Sequence, residues 1–331
     1  MQKILNRLTN HDRLSKVEAR DVLVAISEGC YNNSQIAAFL TIYMMRPVSL
    51  QELEGFRDAL LDLCLAVPIE DYNTIDLCGT GGDGKNTFNI STLASFIAAG
   101  AGVLVSKHGN YGVSSVSGSS NVLEFLEIKF SNQTDFLKQC LDEAGICILH
   151  APLFHPAMKH VAPIRKELGV KTFFNMLGPM VNPAFPKNQM VGVFNLELAR
   201  MYGYLYQNGT KKYGIVHALD GYDEISLTGK AKLISNTTET IVTPSDFNMK
   251  IQTQQAIYGG ETVKDAAEIF MNILKGQGSK EQNNVVCANA SIAISIATDC
   301  TLKEGVQKAF DSLENGRALQ RFNKLKELSS I

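Results

Sequence analysis

Neither sign of charge predominates in this sequence of 331 residues, where 31 Lys and Arg stand against 33 Asp and Glu for a formal net charge of -2. Proteins that wrap nucleic acid carry a basic patch or stripe, so this balance argues against nucleic-acid binding and restricts phosphate binding to a local site. Tryptophan is absent, but 45% of the residues are hydrophobic, which excludes disorder as the main state. The length predicts about two domains, at roughly 150 residues each.

No C-x-x-C pair occurs among the seven cysteines, which are scattered along the chain. Such a set predicts reduced, mostly buried thiols in a cytoplasmic protein, with no disulfide framework or zinc site. Charged residues recur near the N-terminus before any apolar segment, so no signal peptide is expected. Residues 86–106 are uncharged, but Asn89 and Gly100 are among several residues that interrupt them. A buried strand-helix-strand unit is therefore expected there, and no membrane span.

The first seventy residues have the pattern of short amphipathic helices. The S-x-x-E sequences at 15–18 and 49–52 are capping boxes, and each precedes apolar residues at helical spacing. Ile36, Phe39 and Tyr43 mark the apolar face of another helix, which could serve either the core of a helical module or an interface.

After Pro68, strands alternate with helices, which is typical of an α/β domain. Residues 230–260 alternate polar and apolar side chains and predict an antiparallel edge. The predicted strands are 75–78, 103–105, 146–149, 191–194, 213–217 and 224–227, and the predicted helices are 91–101, 157–168, 196–206, 262–274 and 301–313.

A glycine-rich loop, Gly79-Thr80-Gly81-Gly82-Asp83-Gly84-Lys85-Asn86, follows the first of these strands. The loop fits a dinucleotide-binding pattern and differs from a P-loop at one residue. A dinucleotide site needs a ribose-binding carboxylate after the next strand, but Lys107 stands there. A P-loop needs a metal-binding hydroxyl after its lysine, but Asn86 stands there. The glycines of the loop let backbone N–H groups approach an anion, and the helix start at 89–92 offers more donors. With Asp83 available for hydroxyls, the loop predicts a phosphorylated-sugar site; the alternative is a tight turn without a ligand.

Two further segments suggest chemistry. Small and hydroxyl-bearing residues dominate 107–120, after the next strand, and Asn121-x-x-Glu124 is expected to cap the helix that follows. The adjacent acids Asp223 and Glu224 are either a solvated turn or ligands of a hard cation such as magnesium.

Several separated motifs accompany these loops. They are Asp76-Leu77-Cys78-Gly79-Thr80-Gly81-Gly82-Asp83, Asn89-Ile90-Ser91-Thr92, Lys107-His108-Gly109-Asn110, Ser117-Gly118-Ser119, His155-Pro156-Ala157-Met158, Arg165-x-x-Leu168-Gly169, Phe174-Asn175-x-Leu177-Gly178-Pro179-x-x-Asn182-Pro183 and Gly221-x-Asp223-Glu224-Ile225-Ser226. With these motifs in this order, the sequence resembles the anthranilate phosphoribosyltransferase family from its first helices to its last.

The resemblance implies a function and a fold. The implied reaction transfers the 5-phosphoribosyl group of phosphoribosyl pyrophosphate to the amine of anthranilate, giving N-(5-phosphoribosyl)anthranilate and pyrophosphate, in tryptophan biosynthesis. The implied fold is a small all-helical domain, residues 1–68 with a contribution from about 160–185, and a larger α/β domain, residues 69–331. The larger domain would have a central mixed, mostly parallel sheet flanked by helices. A cytoplasmic homodimer through the helical domain is implied, with no nucleic acid or membrane as partner.

The resemblance also implies residue roles. The implied catalytic residues are Lys107, Asn110 and Arg165, and the implied ligands of two magnesium ions are Ser91, Asp223 and Glu224. The implied anthranilate contacts are Gly79, Asn110 and Arg165, and the guanidinium fork of Arg165 suits a carboxylate. The implied phosphoribosyl pyrophosphate contacts are Gly79, Gly82, Asp83, Thr87, Asn89, Ile90, Ser91, Thr92, Lys107, His108, Gly109, Asn110, Ser115 and Ser119.

The sequence departs from the family pattern mainly in the second loop. Tyr111-Gly112, Val116 and Asn121 stand where many members have Arg-Ser, Lys and Asp, and Lys171 replaces a common Arg. With two loop cations lost, contacts to the outer anthranilate channel and the sugar 5′-phosphate are expected to differ, and Tyr111 offers an aromatic face instead.

Two other functions remain open. One is a pyrimidine nucleoside phosphorylase-like enzyme, which shares the fold but has no use for Arg165 as a carboxylate clamp. The other is a non-catalytic nucleic-acid-binding relative, against which the charge balance argues.

Overall fold

The computed structural model describes residues 1–112 and 117–330, and the secondary structure below refers to them. The strands are β1 Ile75–Gly79, β2 Val105–Gly109, β3 Ile146–His150, β4 Asn188–Gly192, β5 Lys212–Ala218, β6 Ala231–Ser235 and β7 Glu239–Val242. The α-helices are α1 Gln2–Thr9, α2 Lys16–Ser27, α3 Asn33–Met45, α4 Leu50–Asp62, α5 Ile90–Gly100, α6 Ser119–Phe125, α7 Thr134–Gln139, α8 Ala151–Phe154, α9 Ala162–Leu168, α10 Phe174–Leu177, α11 Leu196–Tyr206, α12 Val263–Leu274, α13 Lys280–Thr298, α14 Leu302–Glu314 and α15 Arg317–Ser329.

The first of two compact units, unit 1, consists of Met1–Val67 and Ala151–Pro183 and contains α1–α4 and α8–α10. Its core is aromatic: Phe39 and Tyr43 from α3 pack edge-on against Phe56 of α4, which stacks on Phe173 with ring centroids 4.4 Å apart. The apolar face predicted for α3 therefore serves this core, since Ile36, Phe39 and Tyr43 are all buried.

Both predicted capping boxes of unit 1 are confirmed. Ser15 caps α2 with Glu18 at the reciprocal position, and Ser49 caps α4 with Glu52. Glu18 lies on the surface and Glu52 is fully buried.

The second unit, unit 2, consists of Pro68–His150 and Ala184–Ile331 and is built on one seven-stranded sheet in the order β3-β2-β1-β4-β5-β6-β7. The first five strands in this order are parallel, and β6 and β7 are antiparallel. The predicted mixed, mostly parallel sheet is confirmed, as is an antiparallel edge within 230–260. Because parallel strands end at one edge, the loops after β1, β2 and β4 lie on the same side of the sheet.

Several predicted elements were wrong. Residues 224–227 are not a strand, and Leu227 has φ 59°, outside the extended region. The helix predicted over 157–168 is divided into a 3₁₀ segment, Pro156–His160, and α9, which has Pro163 in its first turn. Helix α13 was not predicted because residues 284–294 within it are all buried, so it shows no polar face.

The seven cysteines are all free thiols, as predicted, but only Cys140, Cys147 and Cys287 are buried. Among the described residues, no single helix is long and apolar enough to cross a membrane; α13 and α14, bent by 117°, reach the required length and hydropathy only as a pair and by composition alone.

Candidate active site

The ends of strands β1 and β4 leave room for the acidic segment, which consists of Asp223 and Glu224. Gly79 and Gly192 pair across these strands. A Cβ at Gly79 would overlap Oδ2 of Asp223, and a Cβ at Gly192 would overlap the backbone oxygen of Asp223. Glycine at both positions therefore allows the Asp223 segment to lie against the carboxyl edge of the sheet. Gly79 was among the predicted site residues. Gly192 was missed, because only the pairing of β1 with β4 reveals its role.

The glycine-rich loop after β1 contacts the acidic segment directly. The N–H of Gly81 donates to Oδ2 of Asp223 at 2.8 Å, and Gly81, Gly82 and Gly84 have φ of 60°, 79° and 74°. These left-handed conformations favour glycine, which explains the density of glycine in the loop. Oδ1 of Asp83 accepts from the N–H of Lys85 at 3.0 Å, so Asp83 belongs to the same turn.

The carboxylates of Asp83, Asp223 and Glu224 lie close enough for their negative charges to repel. Burial raises the pKa of Asp223 to about 7, and the charge of Asp83 adds to the rise. Burial, followed by the charges of Asp223 and Asp83, also raises the pKa of Glu224 well above its ordinary value. The N–H of Ser91 donates to Oε1 of Glu224 at 3.3 Å. A bound cation would stabilise the ionised form of both acids.

Magnesium fits this donor set when phosphate oxygens complete it. Within residues 1–112 and 117–330, no three or more His, Cys, Asp or Glu side chains are placed to ligate one metal ion. Magnesium is commonly held by one or two carboxylates together with substrate phosphates, and Asp223 and Glu224 are a pair of that kind. Ser91 lines the same small pocket as this acidic pair.

A buried amide holds the acidic segment in place. Asn289 of α13 is 2% exposed; its Oδ1 accepts from the N–H of Ile225 at 3.0 Å, and its Nδ2 donates to the Ile225 carbonyl at 2.9 Å. Sequence reasoning missed Asn289. The available signal was an amide inside the apolar run from Val285 to Ala290.

Lys107 lies inside β2 rather than after it, which corrects the predicted strand end at 105. It is 2% exposed, and its Nζ donates to the Leu77 carbonyl at 2.6 Å. Burial lowers the pKa of Lys107, while Asp76, Cys78 and Glu224 oppose that shift. The N–H of His108 donates to Asp76 at 3.1 Å.

Unpaired polar atoms collect at the start of α5. This helix begins at Ile90 after Asn89, one residue before the start predicted at Ser91. Asn89 Oδ1, Thr92 Oγ1 and Ser117 Oγ are buried without a hydrogen-bond partner among the described residues. Buried polar atoms normally have partners, so these three are available to ordered water or to a polar ligand.

Ile90 and Thr87 support the backbone around these atoms. Ile90 is fully buried and its N–H donates to the Phe88 carbonyl at 2.6 Å. Thr87 forms an isolated β-bridge with Tyr258.

The second loop is closed by backbone contacts. The Asn110 carbonyl accepts from the N–H of Ser120 at 3.2 Å and from the hydroxyl of Ser119 at 3.3 Å. Gly109, the last residue of β2, precedes Asn110 in the chain. Asn121 is not the N-cap of the following helix, because α6 already begins at Ser119 after Gly118. It is the third residue of α6, and its Oδ1 accepts from the N–H of Gly118, the N-cap residue, at 3.0 Å and from the N–H of Gly112 at 2.9 Å. Ser115 and Val116 lie outside the described residues.

Tyr111, one of the departures from the family pattern, packs within unit 2. Its ring meets His150 edge-on at 4.8 Å, and its hydroxyl donates to Glu124 at 3.3 Å. Tyr111 as a residue is 39% exposed.

Arg165 lies on α9 of unit 1, whereas Gly79 and Asn110, the other predicted anthranilate contacts, belong to unit 2. Its Nη2 donates to Oδ1 of Asn175 at 3.2 Å, and its Nε is buried without a hydrogen-bond partner in the described part of the chain. Burial lowers the pKa of Arg165. No Asp or Glu among the described residues lies within 4.0 Å of it. The guanidinium is thus a cation that no carboxylate in the described ranges neutralises directly.

Comparison with known proteins agrees with this architecture. The family model described as "Glycosyl transferase family, a/b domain" matches residues 71–319, and the "Glycosyl transferase family, helical bundle domain" matches residues 2–64. The anthranilate phosphoribosyltransferase of Flavobacterium johnsoniae is 63% identical over 329 residues, covering 99% of this chain and 100% of the relative.

Solved structures give the same result. The anthranilate phosphoribosyltransferase of Thermus thermophilus superposes with a TM-score of 0.90 at 32% identity and 99% coverage of both chains. The Saccharomyces cerevisiae enzyme, in complex with phosphoribosyl pyrophosphate and magnesium, has a TM-score of 0.90 at 26% identity, covering 98% of this chain and 96% of that one. Because these family models match most of its length and the Flavobacterium johnsoniae relative is 63% identical over 99% of it, the chain belongs to the anthranilate phosphoribosyltransferase family.

Proposed function

We propose that the protein transfers the 5-phosphoribosyl group from phosphoribosyl pyrophosphate to the amine of anthranilate, releasing pyrophosphate. The observation that carries this function is the acidic pair of buried Asp223 and half-buried Glu224, whose Asp223 accepts a hydrogen bond from the glycine-rich loop, an arrangement suited to a diphosphate that arrives with magnesium. The guanidinium of Arg165, which has no counter-ion within residues 1–112 and 117–330, suits a substrate that also bears a carboxylate. A nucleoside phosphorylase has no use for that group.

The diphosphate and ribose would be held by unit 2. Backbone N–H groups of the loop at Gly79 and Gly82 approach the phosphates, while Asp83 accepts from ribose hydroxyls. The unpaired Asn89 Oδ1 and Thr92 Oγ1 supply an acceptor and a hydroxyl. The remaining proposed contacts are Thr87, Ile90, Ser91, Lys107, His108, Gly109, Asn110, Ser115 and Ser119.

Catalysis would rest on electrostatics. Displacement at the anomeric carbon builds positive charge on the ribose and negative charge on the departing pyrophosphate. Lys107, buried and already desolvated, stabilises the leaving group without reorganisation. Asp223, Glu224 and Ser91 would hold two magnesium ions. When bound, these ions supply Lewis-acid stabilisation of the pyrophosphate.

The nucleophile is a weak aromatic amine, so its orientation matters. Arg165 would bind the anthranilate carboxylate, and Asn110 and Gly79 would contact the ring and amine. Because the aniline nitrogen loses its proton readily once it is bonded to carbon, no strong base is required.

Loss of anthranilate fluorescence tests the reaction directly, since the protein contains no tryptophan to obscure the signal. With phosphoribosyl pyrophosphate and magnesium present, we expect anthranilate fluorescence to decrease in step with pyrophosphate release. Asp223→Asn should shift the magnesium titration to higher concentration, because a neutral amide is a poorer magnesium ligand. An unchanged titration would contradict the metal assignment, and no fluorescence loss at any magnesium concentration would contradict the function.

We also propose a homodimer formed through unit 1. Ile36, Phe39 and Tyr43 belong to the unit's own core, so other residues must form the contact. Met44 and Met45 at the end of α3 are 44% and 84% exposed and are suitable apolar residues. The seven free thiols agree with a reducing, cytoplasmic setting.

A further inference from the structure

An amide oxygen of Asn175 orients one edge of the Arg165 guanidinium. Oδ1 of Asn175 accepts from Nη2 of Arg165 at 3.2 Å and from the backbone N–H of Thr172 at 3.2 Å. The bond to Thr172 fixes the amide relative to the backbone, so the guanidinium edge that Asn175 contacts is fixed as well. The Nε of Arg165 and the hydroxyl of Thr172 remain buried without partners among the described residues.

An aromatic stack orients the face of the same guanidinium. Cζ of Arg165 lies 5.3 Å from the ring centre of Phe174. Phe174 stacks on Phe173 at 4.6 Å, and Phe173 stacks on Phe56 at 4.4 Å, each pair with 23° between the ring planes. All three rings are buried, so the stack connects Arg165 to the core of unit 1. The cation–π contact holds the guanidinium without supplying a negative charge.

Both of these supports are neutral. A carboxylate at position 175 could form the same two hydrogen bonds with Arg165 and Thr172, and more strongly, because hydrogen bonds between ions are stronger than those to an amide. It would also neutralise the guanidinium and compete with any anionic ligand. The amide therefore orients Arg165 and leaves its charge available.

We propose that Asn175 is the positioning residue that makes Arg165 selective for the carboxylate of the amine substrate. Asn175 acts through Arg165 and does not itself touch the substrate. The proposal rests on the proposed function, in which Arg165 binds the anthranilate carboxylate.

The test compares Asn175→Asp with Asn175→Ala. Asp has the shape of Asn and keeps both hydrogen bonds, so a purely structural role predicts that Asp is tolerated better than Ala. Our proposal predicts the reverse for substrate binding: Asn175→Asp should be as stable to heat as the parent protein or more so, yet raise the KM for anthranilate about tenfold or more, as expected from competition for one charged hydrogen bond. Asn175→Ala should lower thermal stability and raise that KM less. In both variants the KM for phosphoribosyl pyrophosphate should stay within about twofold.

Lys166→Ala is the matched control, because Lys166 is an exposed cation next to Arg165 in sequence. It should leave both KM values within about twofold, as expected for a solvated surface charge. An anthranilate KM in Asn175→Asp equal to that of the parent, or below that of Asn175→Ala, would overturn the proposal.

Arg165→Ala separates this inference from the function beneath it. If Arg165→Ala leaves the anthranilate KM unchanged, the carboxylate-binding role of Arg165 is wrong. If Arg165→Ala raises that KM and Asn175→Asp does not, only the role of Asn175 is wrong.

Discussion

Single residues at the ends of β1 and β4 determine where the acidic segment lies. Gly192 is the stricter of the two glycines, since a Cβ there would overlap the backbone oxygen of Asp223, which cannot rotate away as a side chain can. We therefore expect Gly192→Ala to displace Asp223 and Glu224. Misplacement by about 1 Å can cost roughly 100-fold in rate, and overpacking costs about 1–3 kcal/mol of stability. Steady-state kinetics and thermal unfolding measure both effects.

Gly203→Ala provides the control for that prediction. Gly203 lies within α11, and an added Cβ would meet only Cγ2 of Ile234, at the ordinary contact distance of 3.9 Å. Replacing glycine inside a helix stabilises it by roughly 0.5–1 kcal/mol, so this variant should keep its activity and unfold at a slightly higher temperature. Equal losses in the two variants would mean that the overlap with Asp223 is not the cause.

The sequence predicts site residues where local chemistry is enough. Glycine density identifies the loop after β1, and adjacency draws attention to Asp223 and Glu224. Gly192 and Asn289 could not be found in this way, because each acts on a segment more than 30 residues away in the chain. Their roles follow from the pairing of β1 with β4 and from the packing of α13, which local patterns do not encode.

Helices α2 and α4 of unit 1 begin with the same capping pattern, but the glutamate of that pattern is on the surface in α2 and buried in α4. At α2, Glu18 lies on the surface and pairs with Arg7. At α4, Glu52 is fully buried and accepts hydrogen bonds from the N–H of Leu14, the Tyr43 hydroxyl and the Arg46 guanidinium. Glu52 thus joins α3, α4 and the segment before α2, a role that the capping pattern alone does not reveal.

This difference gives a prediction about acid stability. Burial alone would raise the pKa of Glu52, but hydrogen bonds, foremost from Arg46, lower it to about 2. Because the unfolded chain takes up this proton near pH 4.3, ionised Glu52 contributes stability above that pH, and the contribution is lost as the pH falls towards 2. Glu52→Gln should therefore lower the free energy of unfolding at pH 7 by about 3 kcal/mol and flatten its dependence on pH between about 2 and 4.5.

Denaturant unfolding of Glu52→Gln and Glu18→Gln at several pH values measures this effect. The pKa of Glu18 is also lowered to about 2, mainly by Arg7, but this group is exposed and solvent screens its ion pair. Glu18→Gln should therefore change stability much less. A pH profile of Glu52→Gln that matches the parent protein would show that the Glu52 network does not stabilise unit 1.

At the scale of the whole chain, alternation of strands and helices was enough to predict an α/β domain. The antiparallel edge at β6 and β7 was predicted separately, from the alternation of polar and apolar side chains over 230–260. Local periodicity was less reliable where packing removes a polar face, as in α13, or where proline interrupts a helix, as between His160 and Ala162. The membership of Ala151–Pro183 in unit 1 is a tertiary property, since these residues follow the third strand of unit 2 in sequence.

Assembly of the molecule gives the last prediction. Met44 and Met45 end α3 with apolar side chains in solvent, and an interface that covers them would remove apolar surface from water. If the proposed dimer forms there, Met45→Glu should lower the dimer fraction, because a buried unpaired carboxylate is costly. Light scattering after size-exclusion chromatography should give twice the chain mass for the parent protein and a smaller mass for Met45→Glu at the same concentration. Ile251→Glu, at a 69% exposed apolar position in unit 2, should remain dimeric. A parent protein that elutes as a monomer would exclude the dimer, and a dimeric Met45→Glu would place its interface elsewhere.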